Sequence, residues 1–427
     1  MFAAYLDLSR QVRQTIIYDN DGKVKQGTPS VNRHKVRFLF LNLGHFLDHL
    51  FMLIFASVAA LRLSTEWGMS YAMLIPYATP GFAAFGICAI PAGWLADRWS
   101  REGMMVIFFI GIGASSILAS MADNPLQIAF SLTLVGIFAA IYHPVGLAMV
   151  VQGREKTGVP LAINGIFGNM GIAGAALLTG FFIDHSDWRA AFAVPGATSV
   201  LLGVLYLLFI RNTREVDVLE PAGVAVRRKA EPKSVAENML PRIFGVIFFT
   251  TAVGGLIFQG TTFALPKVFD ERLPDLAPTA TLVGWYASLV FSAAALAQLV
   301  IGYLVDHYSV RTVFASVALL QAALFVLMMQ LSGIAALLVA FAFMFVVFGQ
   351  IPINDVLVGR MSRSEWRSRA YALRYIVTFS VMASTVPLIG WVQGEWGFSI
   401  LFGVLTVAAL LIFVAALHLP KSADALP

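Results

Sequence analysis

The sequence predicts an all-α polytopic membrane protein of twelve transmembrane helices in two pseudo-symmetric six-helix bundles. Three observations carry that expectation. Of the 427 residues, 59% are hydrophobic and 12% charged, whereas a soluble domain carries about 25% charged residues. Twelve apolar segments, each long enough to cross a bilayer as a helix, follow one another along the chain. A short motif at the end of the second segment recurs at the end of the eighth, as a duplicated half requires.

The segments run at about 36–61, 69–96, 103–121, 125–151, 160–183, 189–210, 241–263, 281–305, 311–330, 333–359, 367–390 and 395–418. Lys and Arg set the orientation. With the amino end inside, the inward loops hold Arg98, Arg101, Arg154, Lys156, Arg211, Arg214, Arg227, Arg228, Lys229, Arg311 and Arg363 among others. The outward loops hold only Arg62, Arg189, Lys267 and Arg272. Positive charge collects on the cytoplasmic side, so both termini are expected in the cytoplasm. The chain then divides into an amino-terminal tail (1–35), a first bundle (36–210), a linker (211–240), a second bundle (241–418) and a carboxyl tail (419–427). The tail is polar up to Val36, which reads as no cleavable leader. The linker is basic and interrupted by Pro221 and Pro232.

A net charge of +5 could suggest nucleic acid, but the basic residues sit at segment ends, where topology alone places them. Cys88 is the single cysteine, so neither an intrachain disulfide nor a thiolate metal cluster is expected.

The halves repeat. Gly93-Trp94-Leu95-Ala96-Asp97-Arg98 is echoed by Gly302-Tyr303-Leu304-Val305-Asp306-His307, about 209 positions later. A similar offset relates Gly180 to Gly390, Asp187-Trp188 to Glu395-Trp396, and Pro144 to Pro352. Two such halves joined by a cytoplasmic linker suggest a transporter of parallel repeats, with its binding site near the midplane between them.

At these residues the chain resembles the major facilitator superfamily over essentially its whole length. Gly93, Leu95, Asp97, Arg98 and Arg101 match that superfamily's signature between helices two and three, with Ser100 where a glycine is usual; the second copy keeps Gly302, Leu304, Asp306 and Arg311. The resemblance implies a conformational latch at the cytoplasmic face. The plainer alternative is that Arg98 and Arg101 only obey positive-inside placement. Two further stretches resemble the fosmidomycin-resistance branch of efflux proteins. They are His45-Phe46-Leu47-Asp48-His49, with its carboxylate shifted by one residue, and Tyr142-His143-Pro144, followed by the Asn164 to Gly171 run.

His45, Asp48 and His49 share one helical face inside the first segment. An ionisable side chain at membrane depth costs about 2.5 kcal/mol or more, and by default marks a polar cavity or ion pathway. Counting about 1.5 Å per residue from the cytoplasm puts His45, Asp48 and His143 roughly 13, 18 and 12 Å in. His45 and His143 are therefore level, and the resemblance implies that they face each other across a central cavity. A buried carboxylate beside histidines can take up a proton on one side and release it on the other. His at i and i+4 with a carboxylate between is also metal-like spacing, but no thiolate joins it and no resident metal or cofactor is expected.

The second half offers Gln259 on helix seven, Gln350, Asn354 and Asp355 on helix ten, and Arg374 on helix eleven, the last at the offset of Asn164. With Asn164 and Asn169 these are candidate cavity residues. Asp355 and Arg374 are level enough to pair, or Arg374 could bind a substrate anion. Gly165, Gly168, Gly171 and Gly174 form a stripe that lets helices approach closely.

The expected function is secondary transport of a small organic, amphipathic or drug-like solute across the inner membrane, as proton-coupled efflux by a monomer. The expected partners are solute, protons and membrane lipid. Transport of a divalent metal or anionic metabolite, a membrane-embedded metal enzyme and a non-transporting sensor are the alternatives. No Gly-x-x-x-x-Gly-Lys-Ser/Thr loop supports a nucleotide-driven pump.

Overall fold

The computed structural model of the protein describes residues 17–18, 24–25, 30–154, 157–217, 240–361 and 367–420. Most of the predicted tails and linker, Lys156, and the side chain of Asp355 lie outside the described residues. Among the described residues twelve membrane-length helices follow in order. The first bundle holds α1 (Arg33–Glu66), α2 (Tyr71–Arg98), α3 (Arg101–Ser120), α4 (Pro125–Val151), α5 (Gly158–His185) and α6 (Trp188–Asp217). The second holds α7 (Leu240–Thr262), α8 (Ala280–His307), α9 (Val310–Met328), α10 (Gly333–Met361), α11 (367–396) and α12 (398–416). A two-residue ribbon, Ile17–Tyr18 with Val24–Lys25, precedes them.

Boundaries differ from expectation where local chemistry carries a helix on. Helical structure is already formed at Ser30, ahead of the membrane-length stretch labelled α1 and inside the predicted tail. Helix α6 runs to Asp217, seven residues into the predicted linker, because nothing before Pro221 stops it. Helices α11 and α12 meet at Gly397, where φ is +75°, a conformation that glycine adopts without a Cβ penalty. Ser100, the departure from the family signature, caps α3: the Gly103 amide donates to its hydroxyl at 3.0 Å.

Within the first bundle α1 packs on α5, α2 on α4 and α3 on α6; the second repeats this with α7 on α11, α8 on α10 and α9 on α12. The bundles meet along two seams, α5 with α8 and α2 with α11. Repeat-related glycines close both seams at the end that the charge bias assigns to the outside. A Cβ at Gly180 would land on the backbone oxygen of Ala280, and one at Gly390 would stand 2.7 Å from that of Ala72. Asp184 of α5 adds a bond across the first seam, accepting from the Thr281 amide at 2.7 Å, near the start of α8 where amides lack helical partners. Toward the opposite end of this seam, Gly158 and Gly302 meet nothing within 4 Å. Along this seam the glycines are tightly packed at one end and meet open space at the other.

Candidate functional site

Helices α1, α4 and α5 build one polar cluster inside the first bundle. Helix α4 carries a π-helical turn at Tyr142–Gly146, set by Pro144, which has no amide hydrogen to continue the ladder. The widened turn aims Tyr142 and His143 together at α1. Glycines 168, 171 and 174 are the bed on which α1 lies. Added Cβ atoms would stand 2.7 Å from His45 Nε2 at Gly168, on the Phe46 backbone oxygen at Gly171, and 3.0 Å from the Phe46 ring at Gly174.

On that bed the four predicted residues come together. His143 Nε2 is 3.4 Å from Asp48 Oδ2. The ring centroids of His45 and His49 are 4.9 Å apart, and His143 lies 5.5 and 5.7 Å from them. Asp48 is 1% exposed, and among the described residues its Oδ1 has no hydrogen-bond partner. The expectation that His45 and His143 face each other across a central cavity is corrected. They are neighbours within one bundle, because the π turn brings α4 directly against α1.

His45 is fixed from behind. Its Nδ1 donates to the backbone oxygen of Asn164 at 2.8 Å, and its ring stacks on Tyr142 with centroids 4.8 Å apart. The Tyr142 hydroxyl donates to the Leu41 oxygen at 2.7 Å, and the Asn164 amide donates to Asn42 Oδ1 at 2.9 Å and to Tyr142 at 2.9 Å. Asn164 is fully buried and supports the cluster through these bonds. Asn42 and Tyr142 were not predicted as site residues; the Tyr142-His143-Pro144 run was the signal available for Tyr142.

The ligand atoms of His45, His49 and His143 lie within 4.8 Å of one another, a spacing that would admit a divalent ion. His45 Nε2, however, already lies in a 3.2 Å bond with His49 Nε2, so the contact reads as hydrogen bonding.

The second bundle answers differently. Gln350 accepts from Gln321 Nε2 at 2.9 Å, and Asn354 accepts from the Thr250 hydroxyl at 3.3 Å. Both predicted cavity residues are thus engaged with neighbouring helices of their own bundle. Gln321 and Thr250 gave no sequence signal beyond being polar in apolar segments. Asn169, Gln259 and Gln350 are buried with Nδ2, Nε2 and Nε2 unpartnered among the described residues. Arg374 is half-buried on α11, and its predicted pairing with Asp355 lies outside the described residues. Phe379 of α11 crosses to the first bundle, 4.5 Å from Phe85 and 5.9 Å from His143 between ring centroids.

The predicted latch residues form both local and cross-helix contacts. Arg101 pairs with Asp97 at 2.8 Å, and Arg98 lies 4.5 Å over the Trp94 ring. Gly93 admits Pro144, which would be 3.2 Å from its Cβ. In the second copy Gly302 and the exposed Asp306 end α8, and Arg311 donates to the Leu419 oxygen at 3.3 Å.

A duplicated bundle with two glycine-closed seams and a buried ionisable cluster defines the architecture of membrane transporters. The chain belongs to the Major Facilitator Superfamily, whose family model matches residues 41–273 and 247–426. It is 24% identical over 234 residues to the 4-hydroxybenzoate transporter PcaK of Pseudomonas putida, covering 51% of this chain and 52% of that one. It is 27% identical over 155 residues to the gallate transporter of Pseudomonas putida, 36% and 34% of the two chains. To the puromycin resistance protein pur8 of Streptomyces alboniger it is 30% identical over 135 residues, 30% and 27% of the chains. The chain thus spans about half or less of the length of these curated relatives. Among solved structures it is similar to a POT family transporter in complex with 5-aminolevulinic acid, with TM-score 0.71 and 14% identity over 89% and 94% of the chains. It is also similar to a bacterial homolog of the human lysosomal transporter Spinster in an inward-facing, occupied conformation, with TM-score 0.70 and 13% identity over 92% and 97% of the chains. Both Pseudomonas putida relatives and both structural neighbours are named as transporters, and the membrane-embedded enzyme is set aside.

Proposed function

We propose that the protein is a secondary transporter that moves a small organic, amphipathic solute across the inner membrane by alternating access, coupled to protons and working as an efflux pump. The single observation that carries the coupling is the buried contact of Asp48 with His143, flanked by His45 and His49, at membrane depth. A carboxylate there is retained at a cost unless it does work, and its pairing with an imidazole gives a proton two adjacent homes. The relatives' named cargoes, 4-hydroxybenzoate and gallate, and the puromycin resistance named for a third, support an organic solute with polar groups on an aromatic frame. The buried, unpartnered amides of Asn169 and Gln259 suit such groups. The resemblance of the α1 motif to fosmidomycin-resistance proteins supports the outward direction.

The test is flux in proteoliposomes of purified protein under an imposed pH gradient, with hydroxybenzoates and puromycin as probes. Gradient-driven movement that Asp48→Asn abolishes would support the proposal. Flux indifferent to the gradient in the unaltered protein would remove the coupling.

A further inference from the structure

His45 Nδ1 faces the backbone oxygen of Asn164 at 2.8 Å. A carbonyl oxygen only accepts, so Nδ1 carries the hydrogen. In the neutral ring Nε2 is then a bare acceptor, and His49 Nε2 stands 3.2 Å from it. Two nitrogens at that distance need a hydrogen between them, which His49 supplies. Neutral His49 therefore keeps its free lone pair on Nδ1. The His45 ring cannot turn out of this role. It is stacked on Tyr142 with 20° between the planes, and α5 presents Gly168 to it, where even a methyl group would stand 2.7 Å from Nε2.

We propose that His45 and His49 form one proton store, taking up a single proton at His49 Nδ1 and sharing it along the Nε2···Nε2 line. A proton arriving at Nδ1 makes His49 an imidazolium. Shift of its Nε2 hydrogen to His45 Nε2 moves the charge to His45 and leaves His49 neutral, with its hydrogen on Nδ1. The Asn164 bond is the same in both forms, so no heavy atom must move. His49 is half-buried and His45 buried, so uptake belongs to the more open ring. The titratable groups facing the pair are Asp48 on its own helix and His143 and Tyr142 on α4; α5 contributes Asn164 and glycines. The role of the store rests on the proton-coupled reading above, and its existence does not.

The test is nitrogen NMR of full-length protein carrying 15N-histidine, in lipid and metal-free buffer, across about pH 3 to 8, wide enough for imidazoles displaced from their ordinary value. His45 Nδ1 should stay protonated throughout, and His45 and His49 should change in one common step. Gly168→Ala, which crowds Nε2, should split that step in two. A bare His45 Nδ1, or two independent steps in the unaltered protein, would overturn the store. Independent steps with intact gradient-driven flux would remove the store and leave the coupling; a common step without such flux would do the reverse.

Discussion

His143 Nε2 lies 3.4 Å from Asp48 Oδ2, tying α4 to α1 within the membrane. Asp48→Asn keeps the shape and removes the charge. An amide cannot take up and release the coupling proton, so gradient-driven flux should be abolished, while solute exchange without a gradient continues. Comparing the two assays on one preparation checks this. Equal loss in both would mean that Asp48 serves packing or binding instead.

The glycine bed grades its own substitutions. Gly171→Ala forces a methyl group onto the Phe46 backbone oxygen, and such overpacking costs about 1–3 kcal/mol. Gly165→Ala meets only Gln298, at 3.8 Å, and should be nearly neutral. Thermal unfolding of the two variants in the same detergent should separate them clearly. Similar midpoints would show that α1 does not rest on α5 as described.

Asn164 holds Asn42, Tyr142 and His45 at once. Asn164→Leu should destabilise the protein by about 1–3 kcal/mol through the polar groups it leaves buried and unpaired. It should do so in the absence of any solute, whereas a cavity residue would change solute affinity first. Unfolding with and without solute distinguishes the two roles.

Asp97 and Arg101 are 67% and 37% exposed, and exposed pairs contribute about 0–1 kcal/mol. Asp97→Asn should leave the thermal midpoint almost unchanged. If the residue latches another conformation, transport should nevertheless be lost. Retained transport would reduce the signature to charge placement.

Gly180→Leu should pry open the α5 and α8 seam. In a Cys88→Ser background, a cysteine introduced at Thr262, which is 2% exposed, should react with an impermeant maleimide several times faster in the Gly180→Leu variant. Unchanged labelling would place the seal elsewhere.

The architecture was legible in the sequence because membrane crossing demands long apolar runs and duplication leaves paired motifs; Gly180 and Gly390 carried both signals. The histidine cluster was legible because ionisable residues stand out in such runs. Its geometry was not. Depth counting places His45 and His143 on one level but says nothing about angle, and only the π turn at Pro144 decides that they touch. The same limit hid that Asn164, Gln350 and Asn354 each bond a neighbouring helix. A polar residue in a membrane helix looks alike whether it serves a solute or a neighbour such as Tyr142 or Gln321.

At the closed end, the seams at Gly180 and Gly390 are made of bare backbone, with glycine set against the carbonyls of Ala280 and Ala72. At those two contacts the door offers mainly backbone with which to inspect what passes. Discrimination among cargoes must then lie deeper in the molecule, and a change of cargo could leave the door untouched.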